Sequence, residues 1–189
     1  LARDQGIKVL LSGAGGDDIF SGYRRHRALS LEQYWAWMPA RLRTSLAHAA
    51  RGLPQSMPLS RRLSKAFAYA HLAPDERLLR YFWWLDRDES ARLLSPALRG
   101  QLSTTDAVQD TLARIPADTP ALQRMLHLEC RHFLADHNLN YTDKMGMAAG
   151  VEVRVPLLDV ELVALAARLP AALKQHGSEG KWIFKKAME

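Results

Sequence analysis

Apolar residues form one unbroken short run near the start of the chain and recur at helical spacing almost everywhere after it. Ile7, Val9, Leu10 and Leu11, bounded by Gly6 and Gly13, predict a buried parallel strand over 7–12. Leu29, Leu31, Tyr34, Trp35 and Met38 predict a helical stretch over 28–51 that Pro39 interrupts. A loop follows over 52–58, then helices over 60–73 and 75–86, the second capped by Asp75 after Pro74. Trp83 and Trp84 are expected in the core, short helices at 88–95 and 96–102, and a polar loop over 103–120. Helices are predicted over 120–139, 140–149 and 160–168, with a basic helix from about 179. One or two short parallel strands in a mostly helical chain is the expected architecture.

The strand runs into Ser12-Gly-Ala-Gly-Gly-Asp-Asp18. Gly13, Gly15 and Gly16 allow torsions that other residues avoid and let backbone N–H groups approach an anion. Asp17 and Asp18 stand where a helix would begin, as hard carboxylates able to hold Mg²⁺ beside phosphates. The run is not a Walker A loop, a dinucleotide fingerprint or a nucleophile elbow, because it lacks the Gly-Lys-Ser/Thr, the third glycine and the Gly-x-Ser-x-Gly setting respectively. An ordinary strand-to-helix turn with Asp as the cap explains the glycines as well.

Three further segments carry candidate chemistry. Glu129 and His132 form a Glu-x-x-His pair, but no second pair completes a di-iron site, and His132 is expected to hydrogen-bond to Asp136. In Val151-Glu-Val-Arg-Val-Pro-Leu-Leu-Asp159 the alternation places Glu152 and Arg154 on one side of an extended segment, with Asp159 capping the next helix. That pair is either a surface ion pair or an arginine free to receive a phosphate. Lys181 follows Gly180 at the start of the last helix, as part of a solvated basic surface or as a point charge for a phosphate.

Composition narrows the classes. The 189 residues are 48% hydrophobic and 24% charged, and suffice for one well-cored domain. The single cysteine, Cys130, excludes an internal disulfide and fits a reducing compartment. No apolar run approaches the roughly 18 residues of a membrane span. The net charge of +6 points to anionic partners, but the arginines are read as spread along the chain, so nucleic acid is not the expected partner. Leu1 is not an initiator methionine, which predicts a piece of a longer protein.

Taken in order, the motifs resemble the asparagine synthetase family. Ser12-Gly-Ala-Gly-Gly-Asp-Asp-Ile-Phe-Ser-Gly-Tyr23 is similar to its Ser-Gly-x-Gly-x-Asp-Glu-x-Phe-x-Gly-Tyr stretch. Asp143-Lys-Met-Gly-Met147 with residues 151–159 resembles its Asp-Arg-Met-x-Met and Glu-x-Arg-x-Pro-Phe-Leu-Asp run, and Gly180-Lys-Trp-Ile-Phe-Lys185 its closing Lys-x-Leu-Leu-Arg. The resemblance implies the carboxy-terminal part, over 1–189, of an ATP-pyrophosphatase-type synthetase domain. Such a domain has an α/β fold of the adenine-nucleotide α-hydrolase type. It adenylates a carboxylate, then forms an amide with glutamine-derived ammonia and releases AMP and pyrophosphate. By position, Ser12, Gly13 and Gly15 would contact ATP, Asp17 would ligate Mg²⁺, and Lys181, supported by Arg154, would stabilise charge on the phosphates.

The resemblance further implies a small carboxylate substrate, ammonia from a glutaminase domain, a cytoplasmic location, no membrane or nucleic-acid partner, and room for a homodimer. Two departures qualify it. The family's first nucleotide loop, Ser-Gly-Gly-x-Asp-Ser, and its glutaminase domain are absent from this sequence, so the chain alone is expected to be inactive. Ala14 stands where asparagine synthetases carry Glu and cannot act as acid, base or ligand, which unsettles aspartate as the substrate. The alternative is a non-catalytic helical interaction module.

Overall fold

The computed structural model describes all residues except 53, 55, 84, 86 and 100–105. The chain forms two compact units: Leu1–Ser30 with Ala117–Glu189, and the intervening Leu31–Pro116.

The discontinuous unit opens with β1 (Val9–Leu11), α1 (Gly16–Phe20) and α2 (Arg24–Leu31), whose last residue lies at the boundary. After the interruption the chain returns as α9 (Ala121–Leu128), a π-helical segment (Glu129–Leu139) and α10 (Asn140–Ala148), which run on without a break. β2 (Glu152–Arg154), α11 (Val160–Arg168), α12 (Ala171–Lys174), β3 (Gln175–His176), β4 (Glu179–Gly180) and α13 (Trp182–Ala187) complete it. β1 and β2 pair in parallel, with Val9 opposite Glu152, Leu10 opposite Val153 and Leu11 opposite Arg154. The two-stranded parallel sheet in a mostly helical chain agrees with the sequence-based expectation, and the antiparallel β3–β4 pair is additional to it.

The core of this unit gathers around α1. Ile19 and Phe20 are each 4% exposed and pack with Ala166 of α11, Leu162, Val163 and the α13 residues Ile183 and Phe184. The Phe20 and Phe184 rings stack at 5.2 Å. Burying each large side chain stabilises the fold by about 1.5–3 kcal/mol. α11 begins where expected, because the Asp159 carboxylate accepts from the Glu161 and Leu162 N–H groups. β1 departs from expectation: Val9, Leu10 and Leu11 are 39, 42 and 74% exposed, since β2 is the one strand that pairs with it among the described residues.

The continuous unit is helical: α3 (Ala40–Arg51), α4 (Pro58–Phe67), α5 (Pro74–Arg80), α6 (Arg87–Arg92), α7 (Pro96–Arg99) and α8 (Ala107–Ala113). Proline opens α4 and α5, where its missing N–H would be unpaired anyway. Asp75 therefore lies inside the first turn of α5, and Ala73 is the cap residue. α8 occupies part of the predicted 103–120 loop because Asp106 caps it, accepting from Val108 and Gln109 N–H. A buried ion pair between Arg77 and Glu32 (2.7 Å), with the Tyr81 hydroxyl donating to the same carboxylate at 3.1 Å, anchors α5. Arg77 also lies over the Trp35 ring. Trp83 is half-buried beneath Arg80, whereas Trp84 falls outside the described residues.

Candidate functional site

The glycine loop leaves β1 beside β2, and the Ser12 N–H donates to the Arg154 carbonyl at 2.8 Å, extending the ladder by one step. The Ser12 hydroxyl then turns back to accept the Ala14 N–H at 3.2 Å, which folds the loop on itself. Gly15 precedes α1 with φ +89°, a torsion that L residues avoid. It also lies against Leu158, where an added Cβ would overlap the side chain. Among the described residues the N–H groups of Gly13 and Gly15 have no intramolecular acceptor. A cradle with free donors at a helix start is suited to an anion.

Asp17 and Asp18 are adjacent, so α1 points them about 100° apart. Asp17 turns outward, and its carboxylate meets the Lys181 ammonium at 2.9 Å. Asp18 turns inward and is 1% exposed, accepting from the Tyr23 hydroxyl at 3.2 Å. Of the two carboxylates that the sequence offers as Mg²⁺ ligands, Asp18 is committed to the interior and is not available at the loop. Burial, reinforced by the charge of Glu129, pushes its carboxyl up to about 6. Tyr23 is raised above the ordinary phenol range by its own burial and by the neighbouring Asp18, and its hydroxyl accepts from Asn138 at 3.0 Å.

Behind this pair lies a network that the sequence reading missed. Glu129 is fully buried; it takes two hydrogen bonds from the Arg25 guanidinium and lies 3.1 Å from His26 Nε2. Arg25 in turn sits over the Tyr23 and Phe133 rings. Glu129 faces α2, away from any di-iron arrangement, and His132 Nδ1 stands 3.9 Å from the Asp136 carboxylate that spacing named as its partner. Arg25 and His26 sit side by side in a basic run, the signal that could have pointed to a buried acidic partner.

Lys181 reaches Asp17 from the far end of the chain. It follows the β3–β4 hairpin, heads α13 with φ 56°, and donates its N–H to the Phe20 carbonyl at 3.0 Å. A non-glycine residue in the left-handed region is strained by roughly 1–3 kcal/mol. Arg154 is placed differently. Its backbone aligns the loop, while its exposed side chain pairs with Glu152 at 2.8 Å, which raises the guanidinium's affinity for its proton. The structure thus brings Ser12, Gly13, Gly15 and Asp17 together with Lys181, and joins Arg154 to them through the main chain.

Mg²⁺ ordinarily binds through one or two carboxylates, with phosphate oxygens and water completing its shell. Asp17 alone fits that donor set, and no group of three His, Cys, Asp or Glu capable of caging a metal occurs among the described residues. No helix of the described residues is long and apolar enough to cross a membrane.

The asparagine synthase family model matches residues 1–189. A Mycobacterium tuberculosis protein named "Putative asparagine synthetase [glutamine-hydrolyzing]" is 32% identical over 186 residues, 97% of this chain and 27% of its own length. Asparagine synthetase [glutamine-hydrolyzing] 1 of Bacillus subtilis is 28% identical over 185 residues, again 97% of this chain and 28% of its own. The chain therefore spans little more than a quarter of these relatives, and no solved structure gives a significant match. The glycine loop, the strand pair and Lys181 lie within a match that runs the length of the chain, which belongs to the asparagine synthase family.

Proposed function

We propose that this chain is part of an ATP-dependent ligase that converts a carboxylate to an amide with ammonia derived from glutamine. The observation that carries this reading is the meeting of Asp17 and Lys181 at the glycine loop, from positions 164 residues apart in sequence. An acceptor carboxylate oxygen would attack the α-phosphorus of ATP, and the bond to the bridging oxygen would break, giving an acyl-adenylate and pyrophosphate. Ammonia would then add to the acyl carbon and AMP would leave.

Each residue's part follows from charge and placement. The free N–H groups of Gly13 and Gly15 would donate to phosphate oxygens. Asp17 would hold Mg²⁺, which when bound neutralises phosphate charge. The Lys181 ammonium would stabilise charge gathering on the α-phosphate and the departing pyrophosphate, a role for a compact point charge. Before nucleotide arrives, Asp17 and Lys181 neutralise each other; a metal–phosphate complex offers each a new partner of opposite sign. Ala14 contributes no acid, base or ligand, so the acceptor is to be found by assaying a panel of carboxylates, aspartate among them.

In the full-length protein, Lys181→Ala and Asp17→Ala are each expected to abolish AMP and pyrophosphate formation. Retained activity in both variants would defeat the assignment.

A further inference from the structure

The hairpin that presents Lys181 is held to the end of α1 by a buried polar pair that the chemistry above does not use. Ser21 closes α1 at φ 67° and ψ 56°, in the left-handed region, and is 1% exposed. Its hydroxyl donates to Gln175 Oε1 at 3.0 Å, across 154 residues of sequence. Gln175, 8% exposed, donates its Nε2 to the Gly177 carbonyl at 3.0 Å and pairs with Gly180 across the hairpin. One amide therefore grips both the end of α1 and the turn of the hairpin. Gly180 presses so closely on the Ser21 carbonyl that an added Cβ would overlap it. The next residue is Lys181.

A lysine ammonium rides on a flexible four-carbon stem, and half-exposed ion pairs fix geometry poorly. The Asp17–Lys181 pair is of that kind, with side chains 41% and 35% exposed. Its geometry must be imposed through the backbone, and a misplacement of about 1 Å at a reacting centre can cost on the order of 100-fold in rate. We propose that Ser21 and Gln175 are positioning residues for Lys181: their hydrogen bond latches the β3–β4 hairpin onto α1 and so fixes the ammonium beside Asp17. The latch rests on the reading of Asp17 and Lys181 as the metal–phosphate site.

The test uses the full-length protein and Mg²⁺–pyrophosphate as probe, with affinity read by calorimetry and hydrogen exchange followed at the amides of 176–182. Gln175→Leu and Ser21→Ala should each weaken binding about tenfold. The double variant should be no weaker than the worse single one, because both break the same bond. The Lys181 amide should exchange faster while α11 amides hold. Ser21→Gly removes the same hydroxyl but relieves the left-handed strain, so it keeps the test open if Ser21→Ala folds poorly. Unchanged affinity and unchanged Lys181 protection in Gln175→Leu and Ser21→Gly would overturn the latch. No binding by the unmodified protein, or undiminished binding by Lys181→Ala, would overturn the site reading instead.

Discussion

Cys130 packs against the α1 core, and burial with the charges of Asp18 and Glu129 pushes its thiol up to about 11. The thiolate is the reactive form, so at pH 8 a thiol with this environment holds on the order of 100-fold less of it than a free cysteine. Alkylation by iodoacetamide at pH 8 should accordingly be about that much slower in the native protein than in urea, and should rise steeply as pH approaches 11. Comparable rates in the two states would mean the thiol is open to solvent. The residues read best from sequence were those whose local chemistry is self-contained. Gly15 needs its positive φ, Asp159 caps its own helix, and Lys181 sits at the start of α13 as its glycine neighbour suggested. The buried side chains were not readable in this way, because Asp18, Glu129 and Gln175 owe their roles to partners more than 100 residues away or to burial itself.

Between residues and the whole chain stand the elements, and one buried anion ties two of them together. Glu129 begins the π-helical segment and meets Arg25 and His26 of α2. Removing one side of a buried ion pair strands the other charge, which costs about 3–5 kcal/mol. Glu129→Ala is expected to destabilise the protein by that amount in urea unfolding; a loss under about 1 kcal/mol would place the anchor of α2 elsewhere. The long helix itself was read from its apolar spacing, but as two helices over 120–139 and 140–149 rather than one run changing to π geometry and back. Periodicity near 3.6 does not distinguish a wider helix over 11 residues. The β3–β4 hairpin went unread because Gln-His-Gly-Ser-Glu-Gly offers no alternating apolar pattern; its register comes from Ser21 and Phe20 instead.

At the scale of the molecule, charge is less evenly spread than the scatter of arginines suggested. Residues 33–74 carry six of the 26 Lys and Arg and none of the 20 acidic residues, so the net +6 belongs to that segment. The unit holding Asp17 and Lys181 is close to neutral, with 14 basic and 12 acidic residues. Exposure is concentrated too. The apolar residues of β1 lie on a strand with one partner, and open apolar edges pair with other chains. The 189-residue chain should self-associate with rising concentration in analytical ultracentrifugation, and Leu11→Lys should suppress it; a monomer at every concentration would show that the edge is protected.

The parallel pairing of Leu10 with Val153 spans 143 residues, and the continuous unit lies wholly between them. A ribosome adding about 5–20 residues per second therefore releases β1 roughly 7–30 seconds before its partner strand exists. In that interval Leu31–Pro116 emerges complete and free to fold, while the glycine loop waits as an open chain. Vectorial synthesis thus finishes the helical insert first and brings Lys181 to Asp17 afterwards, when Lys181 leaves the tunnel. Slow codons after residue 116 would lengthen the interval before β2 joins β1.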